Sequence, residues 1–123
     1  LAKMNSRANI PASPLSRDYM RRFGDVRGKL IRPVITLHST QDGVADVSHE
    51  SAYRAAVQSW NCSENLVQTY VSAVGHCAFT PKHLLAALTA MEHWLDSGKA
   101  PDASFFLEAQ GFDNRFVPPD WPN

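Results

Sequence analysis

The sequence has 123 residues, a length that fits one small domain. Hydrophobic residues make up 44% of it and charged residues 20%, which excludes a disordered chain because there is enough apolar material for a core. Twelve basic and twelve acidic residues balance, so the basic surplus that favours nucleic acids or anionic membranes is absent. No apolar run approaches the roughly 18 residues of a membrane span. We therefore expect a globular domain with neither of these partners.

The first third of the chain contains an approach segment and a strand. Residues 1–28 are polar and basic, and a short helix is predicted over 16–23. Residues 29–38 are mostly apolar without strict alternation, a pattern typical of a strand covered on both faces in a parallel sheet. Pro33 has no amide to donate, so we expect it at the start of this strand.

A loop, a helix and a second strand follow. The loop is predicted over 39–47, and Ser48 is placed to cap a helix that runs to about Trp60. A second strand is predicted over 66–72, and a loop around a glycine over 74–79. This order of elements predicts parallel strands joined by a helical crossover.

The last helix has the clearest boundaries. Thr80 is a preferred N-cap residue, Pro81 suits the first helical position, and Gly98 is a natural end. Apolar residues keep helical spacing between these limits: Leu84, Leu88, Met91 and Leu95. The tail, residues 101–123, is rich in aromatic residues and proline, and we expect it to pack on the surface or over the sheet edge.

Two loops follow the carboxyl ends of the predicted strands, where functional residues gather in parallel sheets. The first contains Asp42 and Asp46, and the second contains His76. A carboxylate after one strand and an imidazole after the next can form the acid–base part of a Ser-His-Asp relay, in which the acid orients the histidine. Spacing alone favours a structural role for each residue: Asp42 as a turn residue, His76 as a loop or capping residue, and Asp46 as a helix cap rather than the acid.

The positions of the other histidines in the predicted elements indicate structural roles. His38 ends a strand and is expected to pack beside the site. The remaining three, His49, His83 and His93, lie on predicted helices, where solvated or capping roles prevail. No set of histidines and acids has metal-ligand spacing, so no metal site is expected.

Two stretches resemble the C-terminal part of α/β-hydrolases. The first, RPVITLHSTQDGVADVSHESAYRAAV, is similar to the strand, acid loop and helix of that family. The second, YVSAVGHCAFTPKHLLAALTAMEHWLDSG, resembles its histidine loop and last helix, and the run HCAFTP is similar to a bacterial esterase-like subgroup. The resemblance covers 29–100 and implies a partial α/β-hydrolase fold, in which parallel strands with flanking helices form the C-terminal part of the sheet. It also implies that Asp42 is the catalytic acid and His76 the general base.

The family's nucleophile motif, Gly-x-Ser-x-Gly, does not occur in this sequence. The resemblance therefore implies a serine hydrolase of carboxylic esters or related acyl compounds, with a small ester-like substrate, no cofactor and a nucleophile that lies upstream or on a companion chain. Acyltransferases, peptidases and some lyases share this scaffold, so the reaction class stays open. This chain alone is expected to be inactive, and to associate either with the N-terminal part of the hydrolase or with itself. The alternative hypothesis is a non-enzymatic, self-associating fragment or binding module with the same partial fold.

Overall fold

A computed structural model of the protein describes residues 12–121. Its main elements, in chain order, are α1 (Pro14–Phe23), β1 (Val34–Gln41), α2 (His49–Ser59), β2 (Leu66–Val74) and α3 (Pro81–Ser97). The described residues also contain three short 3-10 turns: Ser63–Asn65 before β2, and Ala103–Phe105 and Glu108–Gln110 after α3. The fold is a small α/β fold, as predicted. The ends of the predicted approach segment and tail, 1–11 and 122–123, lie outside the described residues.

The described residues form a sheet of two strands, and these strands are neighbours and parallel. Val34 pairs with Leu66, and the register continues to Ser39 opposite Val71 before one irregularity. Since the strands are parallel, with α2 as the connection between them, both end at the same edge of the sheet. The loops that follow β1 and β2 therefore lie side by side.

The boundaries of β1 differ from the prediction. The strand begins at Val34 rather than at residue 29, and ends at Gln41 rather than at 38. The late start follows from Pro33, which has no amide for the ladder. The late end corrects the prediction that a loop begins at Ser39, which is instead buried and paired with the second strand. Hydroxyl residues concealed this continuation, because they are also common in turns.

The first turn of α2 uses its polar residues differently from the prediction. Ser48 occupies the N-cap position, but its hydroxyl makes no cap hydrogen bond and donates instead to the Asp46 carboxylate. Glu50 lies in the same first turn and is buried. Its carboxylate accepts hydrogen bonds from the Thr36 hydroxyl at 2.7 Å and from the Gln68 amide, which attaches the helix to both strands.

Two tryptophans at or near helix ends differ in burial. Trp94 is buried, as expected for a core residue, at 5% exposure. The helical spacing of Trp60 with Tyr53 and Val57 predicts a place at the core or its edge, but Trp60 follows the end of α2 and is 47% exposed. The Lys29 ammonium lies 5.1 Å from the centre of the Trp60 ring, so this ring forms a surface cation–π contact instead.

Helix α3 has the predicted boundaries, with Thr80 as N-cap and Gly98 in the left-handed conformation at its end. Its buried face, however, consists of His83, Ala90 and Trp94. The leucine stripe identified from the sequence is largely exposed: Leu84 50%, Leu88 62% and Leu95 63%. Helical periodicity predicts the helix but does not decide which of two adjacent apolar faces is covered. The alanine-containing face allows the closer approach to the sheet.

The tail completes the core and covers one sheet edge, in agreement with the packing prediction. Phe106 and Phe112 form a buried cluster with Ala90, and Ile35 and Leu37 of β1 pack against it. An isolated antiparallel bridge pairs the tail with the outer edge of β2. Across the described range, no strand covers the outer edge of β1. None of the helices in residues 12–121 is long and apolar enough to cross a membrane.

Candidate active site

Asp42 and His76 meet at the carboxyl ends of the two strands. Asp42 follows β1 directly, and His76 lies two residues beyond β2. The Nδ1 atom of His76 is 2.8 Å from Oδ2 of Asp42, although 34 residues separate the two in sequence. The structure thus brings together the two residues that the sequence singled out. The separation is that of a charge-assisted hydrogen bond, in which the imidazole N–H donates to the carboxylate.

The Asp42 carboxylate is held by its own loop. Its Oδ1 atom accepts hydrogen bonds from the backbone amides of Val44 at 2.8 Å and Ala45 at 2.9 Å. The turn that places these amides is typical of aspartate before glycine. The side chain of Asp42 is only 5% exposed. One carboxylate oxygen is therefore used to fix the loop, and the other remains directed at His76.

These contacts favour the ionised form of Asp42. Burial opposes ionisation, but the Ala45 and Val44 amides and the neighbouring His76 outweigh it and lower the pKa of Asp42 to about 2. The carboxylate is consequently charged at neutral pH. A charged acid beside Nδ1 keeps the proton on that nitrogen and stabilises the imidazole when its other nitrogen takes up a second proton.

His76 presents its other ring nitrogen outward. Its side chain is 50% exposed, and because Nδ1 is committed to Asp42, Nε2 is the nitrogen available to a reacting group. The two loops are also joined through their backbones, since the Gly75 amide donates to the Gln41 carbonyl at 2.9 Å. Gly75 has a φ of +117°, a conformation that favours glycine. The glycine thus lets the chain turn sharply between β2 and the histidine.

The alternative acid, Asp46, lies elsewhere. Its Oδ1 atom accepts from the backbone amide of Ser48 at 2.8 Å and from the hydroxyl of the same residue at 2.6 Å. These two hydrogen bonds lower the pKa of Asp46. Its carboxylate therefore serves the start of α2, and Asp42 is the acid paired with the histidine.

The other histidines make their contacts outside this pair. His38 lies within β1 rather than at its end, and its Nδ1 is 2.9 Å from the Ser39 carbonyl oxygen. His49 bonds to the Asp46 carbonyl and stacks on Trp121. His93 stacks on a tail phenylalanine. His83 was expected to be solvated or capping; it does accept from the Thr80 amide, but it is 5% exposed and also bonds to the tail. Its position three residues after a Thr-Pro helix start is the sequence signal for the capping half of this role.

No group of three or more His, Cys, Asp or Glu side chains suited to a metal ion occurs in the part of the chain that the structure describes. The pair therefore has no metal ligand set beside it in this region.

Comparison with known proteins finds an enzyme relative. The chain is 32% identical over 123 residues to a protein named o-phthalyl amidase from Xanthobacter agilis. The match covers 93% of this chain but 27% of the relative, so the chain spans about a quarter of the length of the protein it matches. No family model matches, and no solved structure matches. The similarity thus connects the chain to a hydrolase-like relative and to no more specific class.

Proposed function

We propose that this chain is the C-terminal part of an α/β-hydrolase-type serine hydrolase that cleaves carboxylic esters or amides, and that it supplies the acid Asp42 and the base His76. The observation that carries the proposal is the 2.8 Å hydrogen bond between His76 Nδ1 and Asp42 Oδ2. The similarity to a protein named an amidase supports hydrolysis of an acyl compound. The proposed nucleophile is a serine on an upstream segment or a companion chain.

In the proposed reaction the serine oxygen attacks the substrate carbonyl while His76 Nε2 takes the hydroxyl proton. The resulting imidazolium lies beside the ionised Asp42, which stabilises its charge. The tetrahedral intermediate collapses, and His76 gives the proton to the departing alcohol or amine. Water then attacks the acyl-enzyme with His76 again as base, which releases the acid and restores the serine.

Two exposed features support a partner that completes the enzyme. The outer edge of β1 carries no strand in residues 12–121, and an open edge is a template for a further strand. The leucine stripe of α3, defined as Leu84, Leu88 and Leu95, exposes at least half of each side chain. We propose that both features are covered by the N-terminal part of the same hydrolase, the part that carries the nucleophile. We refer to the resulting assembly, in one or two polypeptides, as the intact enzyme.

The test is a denaturing mass spectrum of the protein preparation after incubation with a fluorophosphonate, which reacts with activated serines. The proposal predicts the added mass on a serine outside the 123 residues of this sequence. That serine lies either on an upstream part of the same polypeptide or on a companion polypeptide. Hydrolysis assays with o-phthalyl amides and simple aryl esters then compare the two substrate classes. A protein that takes up no probe, cleaves neither class and associates only with itself would contradict the proposal and support a non-enzymatic module.

A further inference from the structure

His83 occupies a buried position between three segments of the chain. It lies in the first turn of α3 with 5% exposure. Its Nδ1 accepts a hydrogen bond from the Thr80 amide at 3.1 Å, and its Nε2 donates to the Gln110 carbonyl at 2.6 Å. The amide can only donate and the carbonyl can only accept, so these partners fix a single tautomer, with the proton on Nε2. A neutral imidazole thus connects the start of α3 to the tail.

The same part of the tail is attached to the end of β2. The Ser72 amide donates to the Gly111 carbonyl at 2.9 Å, and Phe112 pairs with Val71 in an antiparallel bridge. The Phe112 ring also meets the His83 imidazole edge-on, with their centres 5.2 Å apart. Residues 110–112 therefore hold β2 on one side and the first turn of α3 on the other.

The histidine loop lies between these two attachment points. The chain leaves β2 after Val74, passes His76 and enters α3 at Pro81. Within the loop, Gly75 and Cys77 both have positive φ values, of +117° and +50°, so the backbone reverses sharply on each side of His76. Such a loop sets the position of its histidine only if its two ends are kept at a fixed separation. The tail and His83 provide that fixed separation.

The tail and the His83 ring are in close contact at Gly111. Gly111 has a φ of +102°, and a Cβ placed on it would lie 3.1 Å from Nε2 of His83. A side chain at position 111 would thus strain the backbone and press on the imidazole at the nitrogen that bonds the tail. The close approach of tail and ring depends on glycine, as expected where the distance between the two segments must be small.

We infer that His83 is a positioning residue for the proposed hydrolysis: by joining the start of α3 to the tail, it holds the loop that directs His76 at Asp42. The inference rests on the proposed function for its catalytic consequence, but its structural consequence can be measured without activity. Loss of His83 leaves the Thr80 amide and Gln110 carbonyl without these partners and releases one end of the loop. The proton on Nδ1 of His76 then loses its fixed acceptor.

The test records long-range ¹H–¹⁵N spectra of the histidines in the intact enzyme. The variants are His83→Ala and His83→Gln, and Lys82→Ala is the control at an exposed site of the same helix turn. In the unaltered protein we expect His83 to carry its proton on Nε2 and His76 on Nδ1. We expect His83→Ala to lose the bonded Nδ1–H signal of His76. His83→Gln, whose amide offers both an acceptor and a donor, should recover most of it. A His83→Ala protein with the same His76 signal as Lys82→Ala would overturn the inference.

Kinetics separate positioning from general damage. We expect kcat of His83→Ala to fall by about 100-fold, as for a displaced catalytic group, with KM changed by less than about twofold. Should His83→Ala not fold, Gly111→Ala keeps the imidazole and displaces it, and the same loss of the His76 signal is expected. An intact His76 signal in Gly111→Ala would count against the inference. Spectra that behave as expected in a protein without hydrolytic activity would sustain the inference about the loop and reject the proposed function.

Discussion

The acid loop and the histidine loop end neighbouring strands, yet they are held in different ways. Asp42 fixes its own loop, because one of its oxygens accepts from the amides of Val44 and Ala45. Among the described residues, His76 makes no comparable hydrogen bond to its own loop. That loop is held by the Gly75 amide, which donates to the Gln41 carbonyl, and, as we infer, by the tail, which joins β2 to α3 through Gly111 and His83. The acid is therefore placed by local chemistry and the base by long-range packing. Substitution of Asp42 should therefore lower kcat more than it lowers the free energy of unfolding. Substitution of buried tail residues should lower the free energy of unfolding.

The largest expected effect follows from Asp42→Asn in the intact enzyme. The amide oxygen can still accept from the loop amides, so the loop is retained, but the amide nitrogen would then face His76 and favour the wrong tautomer. We expect kcat to fall by about 10⁴-fold while the protein remains folded. Steady-state kinetics and circular dichroism measure the two quantities. A variant that keeps near-full activity would remove Asp42 from the mechanism.

The next largest effect concerns the contribution of the tail to stability. Phe112 is 3% exposed and belongs to the core cluster that includes Ala90 and Phe106. We expect Phe112→Ala to lower the free energy of unfolding by about 3–5 kcal/mol, the usual range for a buried phenylalanine. Urea denaturation measures the change, and Val117→Ala, at a site 74% exposed, is the matched control. Equal stabilities for the two variants would mean that the tail does not hold this part of the fold.

The smallest effect concerns acid stability. The folded state lowers the pKa of Asp42 from 3.8 to about 2. The unfolded chain therefore binds this proton at a higher pH than the folded chain does. Its stabilising contribution is complete above about pH 5 and is lost as the pH falls through the folded value. We expect stability to fall more steeply between pH 5 and about pH 2 in the unaltered protein than in Asp42→Asn. Parallel curves in urea titrations at several pH values would show that Asp42 does not contribute.

The local half of the site could be predicted from the sequence. The order of strands and helices, the Thr80-Pro81 start of α3 and the aspartate–glycine turn all depend on neighbouring residues, so short-range patterns contain them. Parallel strands then place both loops at one edge, which made the pairing of Asp42 with His76 a reasonable expectation.

The long-range half could not be predicted in the same way. His83 and Gln110 are 27 residues apart, and the hydrogen bond between them uses the backbone carbonyl of Gln110. Every residue has such a carbonyl, so the residue type at position 110 does not indicate the bond. The burial of Ala90 rather than Leu88 likewise depends on how closely α3 approaches the sheet. The sequence does not indicate the extension of β1 past His38, because serine is common in turns and Ser39 here lies in a strand.

The most direct test of the central claim, that His76 is the base of a serine hydrolase, is the rate of fluorophosphonate labelling of the intact enzyme. We compare the unaltered protein, His76→Ala and His93→Ala, the last being an exposed histidine of α3. The account predicts that His76→Ala reduces the labelling rate by about 10⁴-fold or more, since a serine without its base is a weak nucleophile. It predicts no change for His93→Ala. Equal labelling rates in all three proteins would contradict it.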